Sequence, residues 1–339
     1  MGGGACGHGG ANMGAASDVE YGRNVEQPCK REASGDSMAT TIRTSPQPMK
    51  LGARELLRAY IELTKVRIVL LLVFTTVTAM IIAADGIPPL SVLLPTILGG
   101  AMAAGGASVI NQYIDRDLDA RMTRTSRRPI PSGRIAAVNA LVFGLALVTW
   151  SVLVLALFVN WLTSILALVG AIYYVIIYTI LLKRNTVLNI LIGGGAGAIP
   201  VLVGWSAVTG SLNFESMILF AIIFFWTPPH SWALALLVNT DYARANVPMM
   251  PVARGEEVTR LQILLYSIQL VIISLLPTLF GTLNAIYLVS AGVLGGLLLY
   301  MSAKLMREKD GAAARRMYKM STSYLAFLFL AMILDKVIL

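Results

Sequence analysis

Nine long apolar runs dominate this chain and leave it few ways to fold. They cover roughly residues 65–84, 89–110, 136–159, 161–182, 187–209, 216–238, 260–282, 284–305 and 319–337. Each is close to the ~20 residues that carry a helix across a hydrocarbon core. In lipid no water serves the backbone, so a run of this length must satisfy its own N–H and C=O groups as a helix. Only 13% of the residues are charged, against about 25% in soluble chains. The expected fold class is therefore all-α: an integral membrane protein with nine transmembrane helices. Spans three and four meet at Asn160-Trp161 and predict a tight hairpin.

Residues 1–50 differ in kind. They are rich in Gly, Ser and Ala, carry charge of both signs and show no apolar period. They read as a disordered cytoplasmic tail ahead of one polytopic membrane domain over 51–339. The tail has no apolar core for a signal peptide, and Asp18, Glu20, Glu26, Glu32 and Asp36 argue against a transit peptide. A bacterial inner membrane is the simplest expected location. Both cysteines, Cys6 and Cys29, lie in the tail and imply no disulfide framework. Cys6-x-His8 is too sparse to read as a metal site.

The net charge of +9 reflects topology rather than nucleic acid. Segments 110–135, 183–186, 239–260 and 304–319 hold six, two, three and six Lys or Arg, and the alternate loops hold none. Lys336 is the single basic residue on the other side. By the positive-inside rule the amino terminus is cytoplasmic and the carboxyl terminus periplasmic. The polar clusters described next then share the cytoplasmic face, where a charged head group can enter while an apolar tail lies among the helices.

The richest cluster runs from Asn111 to Gly133, NQYIDRDLDARMTRTSRRPIPSG. Asn111, Asp115 and Asp119 are four apart and form one polar line on a helix, with Asp117 pointing away. Carboxylates beside an anionic ligand repel it unless a metal intervenes. Mg²⁺ takes oxygen ligands, with one or two carboxylates completed by phosphates and water. The line therefore suits a divalent metal holding a phosphate-rich ligand. Arg124 and Arg128 are the best phosphate partners, with Arg134, Arg116, Arg121 and Arg127 nearby. Lys183-Arg184 offers a second clamp, and Lys65 and Arg67 a weaker one. Other cytoplasmic arginines need only anchor helix ends.

Three further segments stand out. Trp226-Thr-Pro-Pro-His230-Ser-Trp232 puts two prolines and a histidine inside span six, where the ladder should break; the histidine either ligates a metal centre or moves a proton, or it hydrogen-bonds the broken backbone. Asn239, Asp241, Tyr242 and Arg244 close that span and suggest a second metal or diphosphate contact. Gly193-Gly194-Gly195-Ala196-Gly197 has no following lysine and lies in an apolar span, so it reads as close helix packing beside a bulky ligand. Among the aromatics, Tyr173, Tyr174, Tyr178 and Trp205 are candidates to shield a cation, with packing or interfacial roles expected for most of them.

The pattern Asn111, Asp115, Leu118, Asp119, Met122, Arg124, Thr125, Arg128, Gly133 resembles the signature of the intramembrane polyprenyltransferase (UbiA) superfamily. Within it, LKRNTVLNILIGGGAGAIPVLVGW (182–205), FFWTPPHSWALAL (224–236) and DYARANVPMMPV (241–252) are similar to the heme-farnesylating members. The resemblance covers about residues 55–335. It implies a UbiA-type bundle with Mg²⁺ held by Asn111, Asp115 and Asp119 on farnesyl diphosphate. It makes Asp115, Asp119, Arg124, Arg128 and Lys183 catalytic. It makes Asn111, Arg184, His230, Asp241, Tyr242 and Tyr178 substrate-binding, His230 through heme contact or proton handling. Heme B is the implied acceptor, and heme A synthase or oxidase assembly proteins the implied partners, with no nucleic acid.

Two positions depart from the superfamily pattern. The second acidic motif, D-x-x-x-D, reads Asp241-Tyr-Ala-Arg-Ala245, and Val66 stands where proline is expected. A sister enzyme with an aromatic acceptor would keep the full second motif and lack W-T-P-P-H. A transporter would place its charges near the midplane between inverted repeats. A heme chaperone would need no acidic metal line.

Overall fold

A computed structural model describes residues 51–338, so the readings made for the tail and for Cys6-His8 fall outside it. Among the described residues nine helices are long and apolar enough to cross a membrane. They are α2 (Val66–Ala83), α3 (Leu90–Ile114), α5 (Ala137–Phe158), α6 (Trp161–Ile172) with its continuation to Leu182, α7 (Asn189–Thr209), α8 (Phe214–Leu237), α11 (Glu256–Leu279), α12 (Ala285–Glu308) and α13 (Gly311–Ile338). The hairpin at Asn160 forms as expected, with the Asn160 side chain accepting from the Thr163 N–H at 2.9 Å. Helix ends run past the apolar limits where polar residues still satisfy the ladder. Thus α13 begins at Gly311 rather than near 319, α11 at Glu256, and α3 continues through Asn111 to Ile114.

Small residues set the helix spacing. A Cβ on Gly106 would lie 2.8 Å from the carbonyl of Gly144, and one on Gly204 would lie 2.2 Å from that of Thr76. These glycines let α3 approach α5 and α7 approach α2 at backbone distance. Span six departs from expectation: α8 runs unbroken through Pro228 and Pro229. The Thr227 hydroxyl donates to the Ile223 carbonyl at 2.9 Å, while a Pro-containing helix in a packed bundle is held by its neighbours.

Short helices cap the charged end. Helix α1 (Ala53–Leu63) precedes the first span and was not expected; it is strongly amphipathic, burying Ala59 and Leu63 while Leu57 and Ile61 stay exposed. Helices α4 (Arg116–Asp119), α9 (Asn239–Arg244) and α10 (Met250–Arg254) follow α3 and α8. The second unexpected element is the continuation of α6, which winds as a π-helix over Tyr173–Leu182.

Candidate active site

The acidic line bends but holds together. Asn111 is in the last turn of α3, Asp115 joins α3 to α4 at φ −86°, ψ 3°, and Asp119 ends α4. Asn111 Nδ2 donates to Asp115 Oδ2 at 3.0 Å and to Thr179 Oγ1 at 3.0 Å. The three residues are 3%, 0% and 2% exposed, while Asp117 faces out as expected.

Buried carboxylates persist only when paired, and cations from three elements meet these. The Lys183 ammonium contacts Asp115 Oδ2, and Arg184 Nη2 reaches Asp115 Oδ1 at 3.3 Å. Arg128 Nη1 lies 2.6 Å from Asp119 Oδ2, and Thr125 Oγ1 donates to the Asp119 carbonyl at 3.0 Å. Lys65, between α1 and α2, donates to Asn111 Oδ1 at 3.3 Å. Burial, then Arg128 and Lys183, bring the Lys65 ammonium down to about 7, against the pull of Asp119 and Asp115.

The π-helix explains how Lys183 arrives. In an α-helix, at about 100° per residue, Lys183 would point opposite to Tyr174, nine residues earlier. With i→i+5 bonds, roughly 4.4 residues per turn, the two return to one face. The Lys183 N–H accordingly bonds the Tyr178 carbonyl at 2.9 Å, and Thr179 Oγ1 donates to that of Tyr174 at 2.8 Å. The same face carries Tyr174 and Tyr178, stacked at 5.5 Å. Gly193 makes room for Tyr178, since a Cβ there would lie 2.3 Å from its ring.

Two chambers result. A polar one of about 110 Å³ is lined by Lys65, Asn111, Asp119, Arg124, Arg128 and Lys183, with Tyr242 at its rim. An apolar one of about 390 Å³ extends from it between α2, α3, α6, α7 and α8. Lys65, Tyr174 and Tyr178 line both and form the junction. Burial pushes the Tyr242 phenol up, so it stays a hydrogen-bond donor.

His230 lies on the apolar wall, its ring 4.3 Å from that of Trp226 and 4.7 Å from that of Tyr318. Its Nδ1 is 3.0 Å from Ser321 Oγ, and that hydroxyl donates to the Tyr318 carbonyl at 2.9 Å. With its proton so placed, Ser321 accepts from Nδ1–H. That arrangement corresponds to the Nδ1–H tautomer, in which Nε2 keeps a free lone pair.

Several candidates do other work. Arg134 forks onto Glu62 at 2.8 and 3.1 Å and ties the arginine loop to α1. Arg116 lies over the Tyr113 ring at 4.7 Å, and Arg121 and Arg127 are exposed. Asn239 donates to Glu256 at 3.5 Å, away from Asp241. Asp241 accepts from the Arg124 backbone N–H at 3.4 Å and from Arg244 at 3.3 Å, so it braces the loop that presents Arg124. Thr179, Ser321 and Tyr318 were missed, because their roles depend on π-winding or on contacts from a distant helix.

The oxygen set fits Mg²⁺ by its chemistry. Asn111 and Asp119 line the chamber that also holds four cations, and Asp115 lies buried behind Asn111 and Lys183; two carboxylates plus an amide suit an ion that completes its shell with phosphate and water. Among the described residues no group of three or more His, Cys, Asp or Glu would make an all-protein cage.

The chain matches known proteins in sequence and in fold. The UbiA prenyltransferase family pattern matches residues 72–331. The protoheme IX farnesyltransferase of Roseiflexus sp. (strain RS-1) is 53% identical over 287 residues, covering 85% of this chain and 54% of that protein. The protein of the same name from Symbiobacterium thermophilum is 49% identical over 288 residues, covering 84% of this chain and 96% of its own. The chain spans 54%, 59% and 49% of the two Roseiflexus relatives and the Chloroflexus aurantiacus relative it matches. Among solved structures, a digeranylgeranylglyceryl phosphate synthase superposes with TM-score 0.71 at 21% identity, over 84% of this chain and 100% of that one. A UbiA homolog from Archaeoglobus fulgidus bound to GPP and Mg²⁺ superposes with TM-score 0.56 at 17% identity, over 81% and 99%. The fold and the match over residues 72–331 lead to one conclusion: this chain is a multi-pass membrane protein that belongs to the UbiA prenyltransferase family.

Proposed function

We propose that this chain transfers the farnesyl group of farnesyl diphosphate to a vinyl group of heme B, giving heme O and diphosphate for terminal oxidases. The observation that carries the reading is the joined pair of chambers, one charged and one apolar, with His230 on the apolar wall. The names of the relatives supply the acceptor, and the diphosphate- and Mg²⁺-bound homologue supports the donor.

Mg²⁺, held by Asn111, Asp115 and Asp119, would neutralise the diphosphate and its developing charge. Arg124, Arg128 and Lys183 bind the phosphate oxygens, with Arg184 behind them and Tyr242 donating at the rim. The C1–O bond breaks with its electron pair going to the diphosphate. The allylic cation stays in the apolar chamber, under the Tyr174 and Tyr178 rings, where water is excluded. The vinyl group attacks C1, and water adds to the resulting cation with loss of one proton, leaving a hydroxyethylfarnesyl group. His230 Nε2 contacts the heme or accepts that proton. An aromatic acceptor is disfavoured by Ala245 and by the W-T-P-P-H segment. The site lies on the cytoplasmic side of a bacterial inner membrane in this reading, with heme A synthase and oxidase assembly proteins as candidate partners.

The test is mass spectrometry of hemes after incubating the purified protein with heme B, farnesyl diphosphate and Mg²⁺. The expected result is a mass gain of one farnesyl plus water that disappears with chelator. No gain from folded protein would overturn the acceptor assignment. For His230→Ala we expect at least a tenfold loss in heme use with farnesyl diphosphate binding unchanged. Ser321→Ala should give a smaller loss and a changed pH profile, because it frees the imidazole tautomer. Unchanged heme kinetics in His230→Ala would return the residue to a packing role.

A further inference from the structure

The apolar chamber has a measurable depth. Below Asn111, α3 presents Ala107, Ala104, Ala103 and Gly100 to it, an i, i+3, i+4, i+7 face that continues from the polar chamber. Gly100 lies eleven residues from Asn111, or about 16 Å along the helix. Helix α2 gives the same depth independently: Thr76 is eleven residues from Lys65, again about 16 Å. At that level the helices close on each other. Thr76 Oγ1 donates to the Pro200 carbonyl at 3.1 Å, Gly204 abuts the Thr76 backbone, and Val203 packs with Ala167 and Leu155. A farnesyl main chain of twelve carbons, at about 1.2 Å per bond, spans roughly 13 Å. Three isoprene units fit between junction and floor, and a fourth does not.

The glycines around this chamber fall into two sorts. Gly193, Gly194 and Gly204 are filled by Tyr178, Thr227 and Thr76, so a Cβ there collides. Gly100 and Gly197 line the chamber, and a Cβ on either meets nothing within 4 Å. Nothing in helix packing requires glycine at these two positions, and helix propensity favours almost any replacement. What they provide is empty volume beside the path from the diphosphate site to the floor.

We propose that Gly100 and Gly197, with Val203 at the floor, set the length of prenyl chain the protein accepts. Gly100 leaves room for the third isoprene unit, Gly197 widens the middle, and Val203 excludes a fourth. This deepens the prenyl-transfer reading but does not depend on heme as the acceptor.

The experiment measures binding of geranyl, farnesyl and geranylgeranyl diphosphates to the full chain in detergent with Mg²⁺, by titration calorimetry, with turnover alongside. For Gly100→Leu the ratio of farnesyl to geranyl affinity should fall at least tenfold while geranyl diphosphate still binds. Gly197→Leu should move the ratio the same way, and Gly100→Ala by a smaller step. Val203→Ala should raise geranylgeranyl affinity at least fivefold relative to farnesyl. The control is Leu98→Phe on the opposite, 54% exposed face of α3, which should leave all ratios within twofold. Unchanged ratios in both leucine variants would overturn the proposal. If Gly100→Leu binds none of the three, Gly100→Ala decides, and no shift there overturns it too. Binding and length selection without heme farnesylation would overturn the heme assignment alone.

Discussion

Asp115→Ala is expected to abolish prenyl transfer, by at least about 10³-fold or ~4 kcal/mol of barrier, while the helices still assemble. Asp115 is fully buried and is the meeting point of Asn111, Lys183 and Arg184. Removing it deletes one of the three proposed metal ligands and leaves the Lys183 ammonium beside the chamber without its counter-charge. Asp115→Asn should retain the hydrogen bond to Asn111 and the fold, yet lose nearly as much activity, because a neutral amide supports an ion poorly. The readouts are diphosphate release and the thermal unfolding midpoint. Full activity in either variant would end the metal assignment.

Lys183→Met should separate two roles that one side chain holds. Lys183 now occupies the place of a cation next to Asp115 and also faces the polar chamber. Without it, a buried carboxylate loses a main partner, a change that costs about 3–5 kcal/mol where nothing replaces the pair. Arg184 remains and reduces that cost. The midpoint in chelator should fall by several degrees, and added Mg²⁺ should restore it by taking the vacated place. Farnesyl diphosphate affinity should drop at least tenfold at the same time. A midpoint indifferent to Mg²⁺ would mean that Asp115 is not within reach of the ion.

The sequence made some parts of this site legible and hid others for physical reasons. Span lengths follow from backbone satisfaction in lipid, so the nine helices could be read from hydropathy alone. The acidic line was legible because its spacing is local, and Asn111 does bond Asp115 across one turn. The π-winding of Tyr173–Leu182 was not, since the segment is uniformly apolar and its register is imposed by Asn111 bonding Thr179 from another helix. The fate of Arg134 was hidden in the same way, because Glu62 lies 72 residues away in sequence. Helix α1 did carry a signal, with Leu56, Ala59 and Leu63 at helical spacing, but the run is too short to stand out beside nine spans. The expected break at Pro228-Pro229 failed because the tertiary neighbours of α8 override the local penalty.

At the end of the bundle away from the charged chamber, Lys336 of α13 donates to Asp85 at 2.5 Å, across 251 residues of sequence. Helix α13 also packs along α2, so the last span docks on the first. At roughly 5–20 residues per second of synthesis, α2 waits on the order of ten seconds or more for that partner. Until then one wall of the apolar chamber, the part closed by Leu325 of α13, is missing. A nascent chain thus carries the acidic line and its arginines long before the apolar chamber is closed. The chamber wall is completed only with the final helix, so its closure is the last event of assembly.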